Sequence, residues 1–413
     1  MSSILLFCMS ALSGPASAEV IAIKAGTLLD PASGAAVKDA VVLVKDGRIT
    51  AAGPDVRVPA RATVVDLSDA FVMPGLIDAH THLCTEAELR VDHVSQVYDE
   101  LARYEVSTGV AERALVGAAS ARSMLEAGFT TVRDLGNAGA WADTALREAI
   151  EVGRVPGPTV LNAGLIIGPR GGQLHGIDDA LLEGSHYLRA DTDDEMVAAV
   201  RLNLYHGAQW IKLLADDQPY AYSADAMRVA VAEAGRAGVK VAAHAGSDEQ
   251  VRAAVEAGVA SVEHGFGASD ATLALMAERG VPLVGTPFGE AVLATFASVS
   301  SAEYMAAALG RGHAAGVTLV FGSDVYARVD GMDRGEATLS TLDAWAASGV
   351  PNEVTLQALT VNAAALLGLD DRGHVRVGAA ADLIAMPRDP RTNLDALESV
   401  AFVMKGGEII VDR

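Results

Sequence analysis

The segment Pro74-Gly75-Leu76-Ile77-Asp78-Ala79-His80-Thr81-His82 runs mostly apolar and then ends on two histidines one residue apart. Side chains alternate along an extended strand, so His80 and His82 share a face and both imidazoles can reach one cation. Taken alone, such a spacing suits a solvated or hydrogen-bonded pair equally well. Three later apolar runs end in residues of the same kind: Val241-Ala242-Ala243-His244, Val262-Glu263-His264-Gly265 and Phe321-Gly322-Ser323-Asp324. One strand-end histidine is more often a satisfied structural group, and one aspartate is often a helix cap. Four imidazoles and a carboxylate converging on one rim suit two divalent ions of borderline softness, Zn2+ foremost. Lys212 lies within Trp210-Ile211-Lys212-Leu213-Leu214, between bulky apolar neighbours. Buried there, it needs an acidic partner or a lowered pKa. As a neutral amine it can capture CO2 and become a carbamate, an anionic oxygen donor able to bridge two metals.

This chemistry requires the strand ends to be neighbours, and the intervening sequence has a suitable pattern. Apolar runs at 72–79, 130–134, 159–167, 210–215, 240–244, 261–264, 282–286 and 318–323 alternate with amphipathic stretches. In one of these, 223–238, Ala226, Val229, Ala230, Ala234 and Ala237 recur at helical spacing. Eight such units over roughly 290 residues predict an α/β fold, a (β/α)8 TIM barrel spanning 73–369, whose active sites lie at the C-terminal strand ends. A doubly wound sheet is the alternative, but no Gly-x-Gly-x-x-Gly follows an early strand. Residues 19–72 and 370–413 show short apolar segments broken by Asp46-Gly47, Gly53-Pro54 and Gly406-Gly407 turns, which predicts a small β-sandwich built from both chain ends. An insertion at 84–115, carrying His93 and Tyr104, is expected to form a lid or an oligomer contact.

Among 413 residues, 51% are hydrophobic, enough for one large domain and a smaller one. The 53 acidic against 31 basic residues give a formal charge of −22, which argues against nucleic-acid or anionic-membrane partners. Residues 1–18 read as an export signal, an apolar run followed by Ala16-Ser17-Ala18, although no Lys or Arg precedes it. The expected location is therefore periplasmic or secreted. Cys8 lies inside that signal, leaving Cys84, whose ordinary role is a packing thiol rather than a nucleophile or ligand.

Jointly, these residues resemble the amidohydrolase superfamily over nearly the whole chain. The matching motifs run from the 73–82 segment through Leu359-Thr360-Val361-Asn362-Ala363-Ala364 to Gly378-Ala379-Ala380-Ala381-Asp382-Leu383. The resemblance implies that His80, His82 and Asp324 hold a buried metal, that His244 and His264 hold a second, and that a carboxylated Lys212 joins them. It further implies that a metal-bridged water attacks a scissile carbonyl, with Asp324 as proton shuttle, and that the chain forms a homo-oligomer. Gly168-Pro169-Arg170-Gly171-Gly172-Gln173-Leu174-His175-Gly176, Ala221-Tyr222-Ser223 and Gly322-Ser323-Asp324 are similar to the prolidase-like and imidazolonepropionase-like branch, which includes ochratoxin-hydrolysing enzymes. By that likeness His175 and Tyr222 touch the substrate. Read from residues alone, Tyr222 suits a helix-flanking aromatic before the N-cap Ser223, and His175 a solvated loop histidine. The implied reaction is hydrolysis of an amide to a C-terminal amino acid, in a dipeptide or an N-acyl amino acid such as ochratoxin A. The alternatives are opening of a cyclic amide or lactone, and a metal-binding scaffold without turnover.

Overall fold

The run 72–79 is two strands rather than one. In the computed structural model, which describes residues 20–413 apart from 90, 94–95, 137–138, 175–176, 218–219 and 297–301, the chain changes sheets at Gly75. Strands β1 (Ile21–Asp30), β2 (Ala35–Lys45), β3 (Arg48–Gly53) and β4 (Thr63–Pro74) lie before this break. The backbone N–H of Gly75 donates to the Asp382 carbonyl (2.9 Å), pinning the junction. The expected export signal lies outside the described residues, and no described helix is long and apolar enough to cross a membrane.

A parallel core follows. Strands β5 (Leu76–Thr81), β6 (Phe129–Asp134) and β7 (Thr159–Asn162) form a three-stranded sheet. Strands β8 (Ile166–Gly168), β9 (Tyr187–Arg189), β10 (Trp210–Leu214), β11 (Lys240–Ala245), β12 (Ser261–His264), β13 (Leu283–Gly285) and β14 (Leu319–Phe321) form a seven-stranded sheet in the order β14-β13-β12-β11-β10-β8-β9. The run 159–167, expected as one strand, is thus divided between two sheets. Gly164, at φ +69°, makes the turn between β7 and β8, and a side chain in that left-handed region is strained. The end of β14 lies beside β5, where the Asp324 N–H donates to the His80 carbonyl (2.9 Å) and the Ser323 N–H to Asp78 Oδ1 (3.1 Å).

Side chains sort with the period of two expected of strands. Ile211 and Leu213 of β10, with Val241 and Ala243 of β11, join a cluster that includes Met227, Ala230 and Ala234 of the helix Ala224–Arg236. Their alternates Trp210 and Ala242 join Ile77, Val284 and Val320 in a separate inner cluster. Lys212 is therefore on the inner face, one step from the Trp210 floor toward the strand ends. Helices after β10, β11 and β12 begin alike: Ser223, Ser247 and Ser269 accept from the N–H groups of Ala226, Gln250 and Thr272, with Asp225, Asp248 and Asp270 in the first turns. These caps satisfy orphan amides and match the helix dipole, so each connection leaves its strand end at a defined angle.

The chain then returns to its beginning. Strands β15 (Leu383–Met386), β16 (Phe402–Lys405) and β17 (Glu408–Asp412) complete a sheet in the order β17-β16-β15-β4-β1-β2-β3. The expected β-sandwich takes the form of one hydrogen-bonded sheet curled on itself. Its β2–β3 turn meets the other end, with the Ala381 N–H donating to the Gly47 carbonyl (2.9 Å), and the core between holds Ile23, Val42, Val72, Leu383 and Phe402.

In the insertion, helix α1 (Val97–Ser107) presents Tyr98, Leu101 and Glu105 on one face to a cavity at the strand ends. The helix α2 (Val110–Glu126) packs beneath, and Gly117 is the only residue type that leaves room there, since a Cβ would lie 2.5 Å from Cys84 Sγ. Cys84 is fully buried in the main apolar cluster and does not line the cavity, as expected of a packing thiol.

Candidate metal centre

The cavity, of about 280 Å3, opens at the C-terminal ends of the parallel strands. His80, His82, Lys212, His244, His264 and Asp324 all line it. His80 Nε2 and His82 Nε2 lie 3.5 and 3.0 Å from the same oxygen, Asp324 Oδ1. Ligand bonds of roughly 2.0–2.2 Å in a tetrahedral shell put neighbouring donor atoms about 3.3 Å apart, so these three groups have the spacing of one shell.

The histidine tautomers are set from outside the cavity. His80 Nδ1 lies 2.8 Å from Glu263 Oε2, and His82 Nδ1 lies 2.7 Å from the Gly136 carbonyl. Both partners only accept, so Nδ1 carries the hydrogen and the Nε2 lone pair faces inward. His264 Nδ1 lies 2.7 Å from Thr286 Oγ1, a hydroxyl that donates or accepts to suit the ring. Burial, with Lys212 adding for His80 and His244 for His264, pushes both imidazoles well below their ordinary pKa and keeps them neutral. Neutral imidazoles with oriented lone pairs are what a borderline cation requires.

Lys212 is 2% exposed and its Nζ lies 3.3 Å from His80 Nε2. Burial lowers its pKa to about 8 against the pull of Glu263 and Asp324, so roughly a tenth of the amine is neutral at pH 7. Asp324 shows the opposite balance. Burial would raise its pKa, but His80, His82 and Lys212 hold it below the usual carboxylate value. It is an anion beside the histidines.

His264 reaches the cavity by a departure from strand alternation. Ser261 and Glu263 share the inner face, where Ser261 Oγ donates to Glu263 Oε1 at 2.5 Å. The next residue should point away. Instead His264 adopts φ +71°, and Asp324 adopts φ +54°. A non-glycine residue in the left-handed region costs about 1–3 kcal/mol, so packing elsewhere sustains these turns.

Several contributors were not singled out from sequence. Glu263 also accepts from Arg133 NH2 (3.0 Å), and Arg133 donates from Nε to the Ala79 carbonyl (2.6 Å) and lies over the Trp210 ring (4.4 Å). Arg334, buried, donates to the carbonyls of His82 (3.1 Å) and Val325, tying the loops that follow β5 and β14. Asp216 and Asp217 approach His244; burial opposes its charging, but the two carboxylates override this and raise its pKa to about 9. The adjacency of Glu263 to His264 and the doubled Asp216-Asp217 were visible signals; Arg133 and Arg334 carried none.

The two expected substrate contacts fare differently. His175 lies outside the described residues. Tyr222 is not in the cavity wall: its hydroxyl donates to the Ala190 carbonyl (2.7 Å), and Ser223 caps the next helix. The rest of the wall is largely apolar, with Leu101, Ile166, Leu174, Phe266, Phe288 and Tyr326.

Comparison with known proteins places this geometry among relatives. Residues 71–410 match the amidohydrolase family. The chain is 28% identical to an ochratoxinase from Aspergillus niger, over 95% of this chain and 87% of that protein. It is 26% identical to an imidazolonepropionase from Mycolicibacterium smegmatis, over 91% of each. A crystal structure of a Xaa-Pro dipeptidase with methionine in its active site superposes with a TM-score of 0.83 at 25% identity, covering 95% of this chain and 99% of that one.

Proposed function

This chain belongs to the amidohydrolase family, in its prolidase-like and imidazolonepropionase-like branch, and is a hydrolase of carbon–nitrogen bonds; from that premise we propose that it is a two-metal hydrolase cleaving the amide to a C-terminal amino acid. The substrate class is a dipeptide or an N-acyl amino acid with an apolar or aromatic part. The observation that carries the reading is the convergence of His80 and His82 Nε2 on Asp324 Oδ1, with each Nδ1 held by an acceptor.

His80, His82 and Asp324 would hold one divalent cation, and His244 and His264 would contribute to a second. Zn2+ suits the donor set. Lys212, buried with its pKa near 8 and its Nζ against His80, is suited to capture CO2 and add a carbamate oxygen. Bound cations acidify a water and polarise the scissile carbonyl. Asp324, anionic at neutral pH, would accept a proton from the attacking water and return it to the departing nitrogen, giving an acid and an amine. Leu101, Phe288 and Tyr326 exclude bulk water and give an aromatic or aliphatic side chain its contact area. The hydrogen bond from Asp324 to the His80 carbonyl supports closure of the parallel sheets into a (β/α)8 barrel with the site at its mouth.

The test is a hydrolysis screen over dipeptides and N-acyl amino acids, ochratoxin A and a cyclic amide included, with metal analysis of the same sample. Turnover should accompany about two divalent ions per chain, vanish after chelation and return with Zn2+. An active metal-free enzyme overturns the proposal. Turnover of the cyclic amide alone moves the substrate class to ring opening, the reaction type suggested by the imidazolonepropionase likeness.

A further inference from the structure

We propose that Asp217 is a ligand of the second cation, so that this ion has a carboxylate of its own and does not depend on a carbamate at Lys212. The inference rests on the two-metal reading above and concerns how its second site is built. After β10 the chain continues through Ala215 into Asp216 and Asp217. Asp217 lines the cavity, and its Oδ2 lies 2.9 Å from His244 Nε2 and accepts from Gln173 Nε2 at 3.0 Å. Asp216 is used differently. Its Oδ2 accepts from the N–H groups of Gly246 (2.8 Å) and Ser247 (2.9 Å), which locks the end of β10 to the loop after β11. Its Oδ1 is buried and faces His244 Nε2 at 3.4 Å.

The ligand atoms of Asp216, Asp217 and His244 all lie within 4.8 Å of one another, as do those of His80, His82 and Asp324. The separations of 2.9 and 3.4 Å around His244 Nε2 bracket the edge of about 3.3 Å expected of donors sharing a small cation. The His264 ring centre lies 4.5 Å from that of His244, which puts a further imidazole at the same place. Charge supports the assignment. Asp324 gives the first ion an anionic ligand, whereas His244 and His264 alone give the second none; Asp217 supplies one from the segment that follows β10.

The experiment titrates chelator-stripped protein with Zn2+, in CO2-depleted buffer and again with bicarbonate, reading stoichiometry by elemental analysis and affinity by chelator competition. Wild type should bind two ions under both conditions. Asp217→Asn, checked for an unchanged circular dichroism spectrum, should bind the second ion at least ~10-fold more weakly without bicarbonate. With Co2+ as probe, the visible band of the second ion should change in Asp217→Asn, which loss of a distant ion pair would not cause. Two ions held by Asp217→Asn at wild-type affinity, or a wild type that holds the second ion only with bicarbonate, overturns the assignment. A wild type that binds fewer than two ions even with bicarbonate overturns the two-metal reading beneath it.

Discussion

Glu263→Gln should separate folding from metal binding. Both carboxylate oxygens are engaged without solvent: Oε2 with His80 Nδ1 (2.8 Å), and Oε1 with Arg133 NH2 (3.0 Å) and Ser261 Oγ (2.5 Å). Gln keeps the shape and removes the charge. Its NH2 must then face either His80 Nδ1 or the Arg133 guanidinium, and both orientations oppose a donor to a donor. Arg133, fully buried, loses the carboxylate it is paired with, and leaving a buried charge uncompensated costs about 3–5 kcal/mol. If the amide NH2 faces His80, the ring must carry its hydrogen on Nε2, where the lone pair was, and affinity for the first ion falls by ~10–100-fold. The assay is urea denaturation of the chelated protein alongside Zn2+ titration of the folded one. Arg133→Met should destabilise by a comparable amount yet leave His80 oriented and Zn2+ affinity near wild type. The double variant, with neither charge buried, should recover much of the stability, since Met fills the space over Trp210. Unchanged stability and unchanged affinity in Glu263→Gln would refute the network's role.

Three further outcomes follow from the same geometry. Asp324→Asn should lower kcat by ~10²–10⁴ while His80 and His82 keep metal largely bound, as checked by steady-state kinetics with elemental analysis. Gly322→Ala places a Cβ 2.7 Å from His80 Cβ and 2.9 Å from Val284 Cγ1, so it should cost about 1–3 kcal/mol in a chelated melt and weaken Zn2+ binding by displacing His80. Asp78, fully buried, accepts from the His80 and Ser323 N–H groups, and burial raises its pKa from 3.8 to about 7. Between those values the folded chain holds a proton that the unfolded chain has released, so this group's contribution to stability is lost as pH rises through the window, by about 1.4 kcal/mol per pH unit. Asp78→Asn, which titrates in neither state, should therefore gain on wild type as chelated samples are moved from pH 5 to pH 7; a constant difference in denaturation midpoint would refute the sign.

Most strand positions in the parallel core were legible because the apolar runs are short and separated by helices, several of them capped; the short β9 was not expected. Misplacement occurred where one run spans a change of partner. Residues 72–79 carry Pro74-Gly75 as the mark of a break, and there the chain passes from the curled sheet to the parallel one, held by a carbonyl more than 300 residues away. The run 159–167 likewise carries its break, Asn162-Ala163-Gly164, inside an otherwise apolar stretch, and the turn at Gly164 sends β7 and β8 to different sheets. The curled sheet was legible as β structure from both chain ends. That it is one hydrogen-bonded sheet depends on β4 pairing with both β1 and β15, a relation between distant segments that local patterning does not carry.

The candidate site exposes a different limit. Reading strand-end histidines finds the groups that face a ligand, because their chemistry is unusual wherever it occurs. It misses groups that face those histidines from behind, because a buried arginine or glutamate in an apolar strand has no sequence mark of its partner. Glu263 and His264 illustrate why. Alternation allows only one of two neighbours to face inward, and a reading that gives His264 the cavity leaves Glu263 outside. The left-handed turn at His264 lets both serve, with Glu263 fixing the tautomer of His80 from the interior and His264 presenting its own imidazole at the mouth. Asp217 and Asp324 share that backbone signature at the ends of two other strands. These three non-glycine residues with positive φ line one cavity, and the turn at each re-aims a side chain that strand alternation alone would not deliver there.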